Sequence, residues 1–208
     1  MNDKESYIEI ITQNFLKYGI KSMSMDDIAR LLGMSKKTLY QHFKDKDEIV
    51  CECIAFIKNK MTDEFGKASC TGKSFIECEV ERSRKIMEGN NVIKPTFIFD
   101  LKKFYPVEFA DLRDFKNDLI YKTSRMNAEN GKTQGLIRED LDIDFMSKYC
   151  VTVSNAIFSP ELSGFSEDDI ISRRYINKVL EYNIHAICTS KGIEEYNRLM
   201  SKNDKINS

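Results

Sequence analysis

Apolar residues recur at intervals of three and four along most of the chain, and this spacing is typical of amphipathic α-helices. The first such stretch covers residues 4–18, where the apolar positions are Tyr7, Ile8, Ile11, Phe15 and Leu16. Gly19 follows directly, as expected for the left-handed residue that commonly ends a helix. The pattern predicts a chain that is helical almost throughout.

Short helices are predicted next, each after a capping residue. Ser24 and Asp27 have the spacing of a capping box, so a second helix is predicted to begin after Ser24 and to end at Gly33. Ser35 is suited to cap a third helix, and Asp45 to cap a fourth. Three helices and the start of a fourth therefore fit near the N-terminus, joined by short turns.

The rest of the chain predicts longer helices over approximately residues 46–69, 73–88, 92–104, 106–129, 143–158 and 167–191. Pro106 is expected to begin its helix, because proline fits the first turn and not the interior. Residues 130–135 are predicted to form a loop. The last helix is predicted to be capped by Ser166 with Asp169 and to end at Gly192.

Composition narrows the class of protein. The chain has 208 residues, of which 41% are hydrophobic, with 9 Gly and 3 Pro. This hydrophobic fraction is sufficient for a buried core, and so few turn-forming residues argue against a β-sandwich. No run approaches the roughly 18 apolar residues of a membrane span, and the N-terminus lacks the features of a signal peptide. A cytoplasmic location without a membrane partner is therefore expected.

The cysteines and histidines do not predict a metal site. None of the cysteines forms a C-x-x-C pair, and the histidines, His42 and His185, lie far apart in sequence. The cysteines are interpreted as small buried hydrophobic residues in a reducing cytosol. No metal and no cofactor are therefore expected. A thiol- or metal-sensing role remains the alternative.

Residues 24–43 combine a close helix crossing, a turn and a polar helix face. Ala29 is small where two helices would cross, and Gly33 supplies the turn. The expected shared core consists of Ile28, Leu32, Leu39 and Phe43. The outward side chains of the third helix are polar, basic or aromatic: Lys36, Lys37, Thr38, Tyr40, Gln41 and His42. Such a face suits a helix that enters the major groove of DNA, where Lys can donate to guanine and Gln can pair with adenine.

These residues resemble the TetR family of transcriptional regulators. The resemblance is dense over about residues 5–52 and is carried by Phe15, Gly19, 24–29, 33–43 and 46–49. It implies an all-α fold, with a three-helix DNA-binding domain at residues 1–50 and a larger helical effector-binding and dimerisation domain at residues 51–200. It also implies a homodimer that binds a palindromic operator, usually represses it, and is released by a small molecule.

The resemblance assigns roles to individual residues. Lys36, Thr38 and Gln41, together with Lys37, would face the bases. The residues that would hold phosphates are Tyr40, His42, Lys46 and Ser24. Asp26 is acidic where a phosphate would favour a polar or basic group, so no DNA contact is expected there.

Two sets of apolar residues are candidates for the functions of the larger domain. The residues expected to line a pocket for a hydrophobic or amphipathic effector are Phe97, Phe104, Tyr105, Phe109, Met126, Tyr149 and Phe158. The last two strong helices are expected to form a four-helix dimer interface. Its residues would be Phe145, Tyr149, Val153, Ile171, Tyr175, Val179, Tyr182 and Ala186.

The charge distribution agrees with a DNA-binding domain near the N-terminus. Lys and Arg number 32 and Asp and Glu 33, which gives a net charge of -1. Residues 17–46 contain seven bases and three acids, a net charge of +4, so the remainder is acidic. An enzyme is disfavoured, because the chain lacks a glycine-rich phosphate loop, a G-x-S-x-G motif and an H-E-x-x-H motif.

Overall fold

The computed structural model describes residues 3–67, 72–88, 95–157, 166 and 172–204. Within these residues the chain forms ten α-helices and no strand, so the all-α prediction is confirmed for them. None of these helices is both long and apolar enough to cross a membrane. The helices are α1 (Asp3–Tyr18), α2 (Met25–Leu31), α3 (Lys36–His42), α4 (Lys46–Lys67), α5 (Phe75–Glu88), α6 (Pro95–Phe104), α7 (Pro106–Thr133), α8 (Ile143–Ile157), α9 (Arg173–Ile187) and α10 (Ser190–Asp204).

The helices pack as two compact units that are not continuous in sequence. The first consists of residues 1–64 and 90–116, and the second of residues 65–89 and 117–208. The boundary predicted near residue 50 falls inside α4, within the first unit. Helix α6 and the start of α7 also belong to the first unit. The functional division into residues 1–50 and 51–200 stays a prediction.

The core of the first unit is built from the apolar positions that the helical spacing identifies. Ile11, Phe15, Ile28 and Leu39 are fully buried in it, together with Leu101 of α6. Helix α6 therefore completes the core around which α1, α2 and α3 pack, and holds the helix-turn-helix in place.

The second unit has its own core, centred on α5. The buried apolar residues that form it come from α5, α7, α8, α9 and α10 and from the segment after α7: Phe75, Ile76, Val80, Ala128, Leu136, Ile137, Met146, Leu180, Ile184, Cys188 and Tyr196. Helix α5 packs against both α9 and α10. The predicted dimer interface and part of the predicted effector pocket belong to this unit.

The predicted loop over residues 130–135 is wrong in its first half, since α7 continues to Thr133. Gly131 lies inside the helix, where an added Cβ would be 2.7 Å from Cδ1 of Ile137. That glycine allows close packing rather than a turn. Gly135, with a φ of 67°, is the residue that takes the left-handed conformation after the helix.

The predicted single helix over residues 167–191 is replaced by two helices, α9 and α10, separated at Cys188 and Thr189. Ser172 caps α9, and its side chain accepts a hydrogen bond from the backbone N–H of Tyr175. The predicted start at residue 167 and the partner Asp169 lie outside the described residues.

The predicted helix end at Gly192 is also wrong, because Gly192 lies in the first turn of α10. The hydroxyl of Thr189 accepts a hydrogen bond from the backbone N–H of Gly192 at 3.3 Å and so caps this helix. A Cβ at Gly192 would be 2.5 Å from the carbonyl oxygen of Leu136. Glycine is therefore required here by a close backbone approach and not by a helix end.

Candidate nucleic-acid interface

The helix-turn-helix begins with a complete capping box. The Ser24 hydroxyl accepts a hydrogen bond from the backbone N–H of Asp27 at 3.2 Å, and the Ser24 backbone N–H donates to the Asp27 carboxylate at 2.9 Å. Hydrogen bonds from Ser24 lower the pKa of the Asp27 carboxyl. The Ser24 side chain is thus part of the cap of α2, and its phosphate contact stays a prediction.

The turn between α2 and α3 fixes the position of α3. Gly33 has a φ of 66°, a left-handed conformation that glycine adopts without strain. The backbone N–H of Met34 donates to the carbonyl oxygen of Ala29 at 3.0 Å. Ser35 caps α3 by accepting a hydrogen bond from the backbone N–H of Thr38 at 3.0 Å. With Leu39 fully buried beneath it, α3 is held at both its start and its inner face.

Four of the predicted DNA-contacting side chains share one exposed face of α3, which we call the reading face: Lys36, Lys37, Tyr40 and Gln41. Their spacing places them on neighbouring positions of adjacent helical turns. Tyr40 is 47% exposed although it follows the buried Leu39. The reading face therefore combines cations, an amide and an aromatic hydroxyl.

The other two predicted contacts on α3 are half-buried. The Thr38 hydroxyl lies 2.8 Å from the Ser35 hydroxyl. The His42 ring meets the ring of Tyr7 edge-on, with 5.4 Å between the centroids. Both side chains therefore have partners within the protein, and their DNA contacts stay predictions.

Lys46 has a positioning role that the sequence did not indicate. Its ammonium donates to the carbonyl oxygens of Ile20 and Met23, at 2.8 Å and 2.5 Å. Partial burial lowers the pKa of Lys46, since an ammonium is less stable away from water. Lys46 thereby fixes the loop between α1 and α2, and its predicted phosphate contact is not tested by this geometry.

The same loop is held from the other side by α6. The backbone N–H of Lys21 donates to the Asp100 carboxylate at 2.7 Å, and its ammonium lies 4.5 Å from the centre of the Phe104 ring. Asp100 was missed by the sequence analysis because the two partners are 79 positions apart. No local pattern identifies such a pair.

The predicted pocket residues lie in both units. In the first unit Phe97 is 1% exposed within the core, Tyr105 and Phe109 pack against that core, and Phe104 is exposed beside Lys21. In the second unit Met126 and Tyr149 are exposed. Phe158 lies outside the described residues. The effector pocket formed by these residues stays a prediction.

Four of the predicted dimer residues are exposed on α8 and α9. Phe145, Tyr149 and Tyr182 are 69%, 47% and 73% exposed, and Ala186 is exposed as well. Val153, Tyr175 and Val179 are half-buried, whereas Ile171 lies outside the described residues. The inner sides of α8 and α9 contribute Met146 and Leu180 to the core of the second unit.

Buried polar groups lie along α5. The Glu79 carboxylate is 10% exposed and pairs with Arg82. Ser83, four positions after Glu79, is 6% exposed, and its hydroxyl has no hydrogen-bond partner among the described residues. A buried hydroxyl without a partner is destabilising. This part of α5 therefore has hydrogen-bonding capacity that the fold does not use.

The cysteines follow the prediction only in part, because Cys51 is exposed and Cys150 is half-buried. Burial raises the pKa of Cys53 and of Cys188 to about 12, so these two free thiols stay protonated and unreactive at neutral pH. Cys78 is instead disulfide-bonded, which spacing along the chain could not indicate. No cluster of three or more potential metal ligands occurs among the described residues.

The helix-turn-helix matches a known domain. The family model described as "Bacterial regulatory proteins, tetR family" matches residues 12–53, which run from α1 through the reading face into α4. The HTH-type transcriptional regulator QacR of Staphylococcus aureus is 21% identical over 162 residues, or 76% of this chain and 79% of that protein. The similarity to QacR therefore extends well beyond the reading face.

Solved structures share the fold. A TetR-family transcriptional regulator from Agrobacterium tumefaciens has a TM-score of 0.66 and 13% identity, covering 89% of this chain and 98% of that one. A regulator from Saccharomonospora viridis, solved in complex with choline, has a TM-score of 0.65 and 20% identity, covering 89% and 97%. The fold of this chain is thus similar to theirs over most of its length.

Proposed function

Because residues 12–53 match the tetR family model and most of the chain is similar to QacR, we propose that this chain is a transcriptional regulator of the TetR family, a repressor that binds a palindromic operator as a homodimer. A small amphipathic molecule bound by the second unit would release it from DNA. We expect it to act as a DNA-binding regulator and not as an enzyme, because the proteins that it resembles are described as regulators of transcription. We place its action in the cytoplasm, where operator DNA is accessible.

The reading face of α3 carries this proposal. Lys36, Lys37, Tyr40 and Gln41 are exposed together on a helix that is capped at Ser35 and anchored at Leu39. A recognition helix needs this combination, because it must present polar side chains to base edges in a fixed register.

Selection of DNA from a random-sequence library by the purified protein tests the proposal. The protein should enrich duplexes containing two inverted half-sites, with centres about one helical turn or a multiple of it apart. The affinity for an enriched duplex, measured by fluorescence anisotropy, should fall steeply as salt rises, because bound phosphates release their counterions. Failure to enrich any sequence would contradict operator binding.

Exposed aromatic residues on the second unit support the homodimer. Phe145, Tyr149 and Tyr182 are large apolar or aromatic side chains exposed on α8 and α9, and burial of such side chains against a partner is favourable. A second copy of the chain is the natural partner, because one helix-turn-helix reads only half of a palindromic site.

The polar groups of α5 support an effector site beside them. The second unit has an apolar core, and Ser83 adds a buried hydroxyl available for hydrogen bonding beside the Glu79–Arg82 pair. An amphipathic molecule would satisfy such groups while burying its apolar part. The Saccharomonospora viridis regulator, which shares the fold, is in complex with choline.

Replacing Ser83 by alanine is expected to stabilise the effector-free protein by about 1 kcal/mol, because a buried hydroxyl without a partner is removed. Ser147→Ala is the matched control, since Ser147 is 0% exposed but its hydroxyl donates to the Ile143 carbonyl oxygen at 2.7 Å. That variant should lose roughly 1 kcal/mol. Both values follow from urea unfolding. A loss of stability in both variants would show that the Ser83 hydroxyl stabilises the folded protein.

A thiol-sensing regulator of the same fold is the second candidate, and the disulfide at Cys78 favours it. In that case reduction of the protein would change its affinity for the enriched duplex, and Cys78→Ser would remove the response. Equal affinities with and without reductant would exclude this role. The high pKa of Cys53 and of Cys188 argues against sensing by those two thiols.

A further inference from the structure

A carboxylate lies directly beside the first cation of the reading face. Asp26, in the first turn of α2, accepts a hydrogen bond from Lys36, the first residue of α3, with 2.9 Å between Oδ2 and Nζ. The two side chains are 58% and 51% exposed, so the pair lies at the surface and not in the core. An acidic group at this place opposes the approach of DNA phosphates.

The neighbouring acid in the same turn has a different function. The Asp27 carboxylate binds Ser24 in the capping box and pairs with Arg30 at 2.8 Å, both within or at the start of α2. Asp27 therefore stabilises α2, the helix to which it belongs. Asp26 links α2 to α3, and the fold has a complete cap without it.

The pair changes what Lys36 can recognise. A lysine ammonium has three N–H donors, and the bond to Asp26 leaves two of them available. The Asp26 charge compensates that of Lys36, so the attraction to an anionic phosphate is weakened while the capacity to donate to a neutral acceptor is kept. The acceptors that guanine presents in the major groove, O6 and N7, are neutral.

We propose that Asp26 is a specificity-determining residue, which makes Lys36 a donor to base edges and lowers the affinity for unrelated DNA more than the affinity for the operator. This inference rests on the proposed contact of the reading face with DNA. Non-specific binding depends almost entirely on phosphate contacts, so a cation whose charge is compensated contributes little to it. Asp26 would thus raise the ratio of specific to non-specific affinity.

The test compares Asp26→Asn with the wild-type protein on two probes: a duplex enriched from the random library, and a shuffled duplex of the same length and composition. The variant should bind the shuffled duplex about fivefold more tightly, as expected when a weak exposed ion pair is lost. For the shuffled duplex, the slope of log affinity against log salt should steepen by about 0.9, the value for one more phosphate contact. Affinity for the enriched duplex should change less than about twofold.

Two further variants make the result decisive. Glu5→Gln removes one negative charge from the exposed surface of α1 and should leave the ratio of the two affinities unchanged. In the double variant Asp26→Asn with Lys36→Ala the gain on the shuffled duplex should disappear, because the released ammonium is absent.

An equal gain on both duplexes, or a gain that persists without Lys36, would overturn the inference in favour of general repulsion by Asp26. A loss of affinity for both would instead assign Asp26 to the fold, and thermal unfolding of the variant would show it. If the wild-type protein enriches no duplex, the proposed function itself fails, which is distinguishable from every result above.

Discussion

Replacing Tyr40 by alanine is expected to weaken binding of the enriched duplex by about 10- to 100-fold. The Tyr40 ring is 47% exposed on the reading face, whereas the core contact of α3 is made by Leu39. The substitution therefore removes the proposed DNA contact and leaves the core intact. A hydroxyl that donates to a charged phosphate contributes about 1.5–3 kcal/mol, which corresponds to that loss of affinity. Fluorescence anisotropy with the labelled duplex measures it.

Two variants separate the contact from general effects of the substitution. Tyr40→Phe keeps the ring and removes the hydroxyl, and it should show most of the loss. Tyr18→Ala removes a tyrosine of similar exposure, 53%, from the end of α1, and its affinity should stay within about twofold of wild type. An unchanged affinity for Tyr40→Ala would remove Tyr40 from the interface.

Placing a carboxylate at Tyr182 or at Phe145 is expected to yield a monomer. The two side chains are 73% and 69% exposed on α9 and α8, and a charge buried without a partner at an interface is strongly unfavourable. The monomer should bind the enriched duplex more than about 100-fold more weakly, because the two half-sites are no longer bound by one linked molecule. Sedimentation velocity of Tyr182→Glu and Phe145→Glu gives the oligomeric state.

Val107→Glu is the matched control for these variants. Val107 is 74% exposed, and it belongs to the first unit, at the start of α7. This variant makes the same change of charge and side-chain polarity away from the proposed interface, so it should remain a dimer. A wild-type protein that sediments as a monomer, or dimeric Tyr182→Glu and Phe145→Glu variants, would place the interface elsewhere.

The helix-turn-helix was predictable because its determinants are local. The capping pair Ser24 and Asp27, the turn at Gly33 and the cap Ser35 each act within a few residues, and the structure shows all of them in use. The exposed reading face follows from these local signals and from helical periodicity. Local rules therefore sufficed for the part of the candidate site that lies on α3.

Local sequence rules failed where the role of a residue depends on a contact with a distant part of the chain. Gly131 and Gly192 were taken as signals for a loop and for a helix end, but both are helical glycines packed against Ile137 and Leu136. Those rules also did not indicate that the Lys46 ammonium donates to two carbonyl oxygens of the loop between α1 and α2, while its phosphate contact stays a prediction. Burial by tertiary contacts decides these roles, and periodicity along one sequence does not contain that information.

The discontinuous first unit limits how this chain can be recombined with similar proteins. A chimera joined once, near residue 50, would combine foreign residues 1–50 with the native α6. In the native chain Phe97 and Leu101 of α6 are part of the core of the first unit. The Asp100 carboxylate would keep its hydrogen bond only if the foreign loop placed a backbone N–H where that of Lys21 lies. To exchange operator specificity, α6 must therefore be transferred together with residues 1–50, or the exchange must be confined to the reading face.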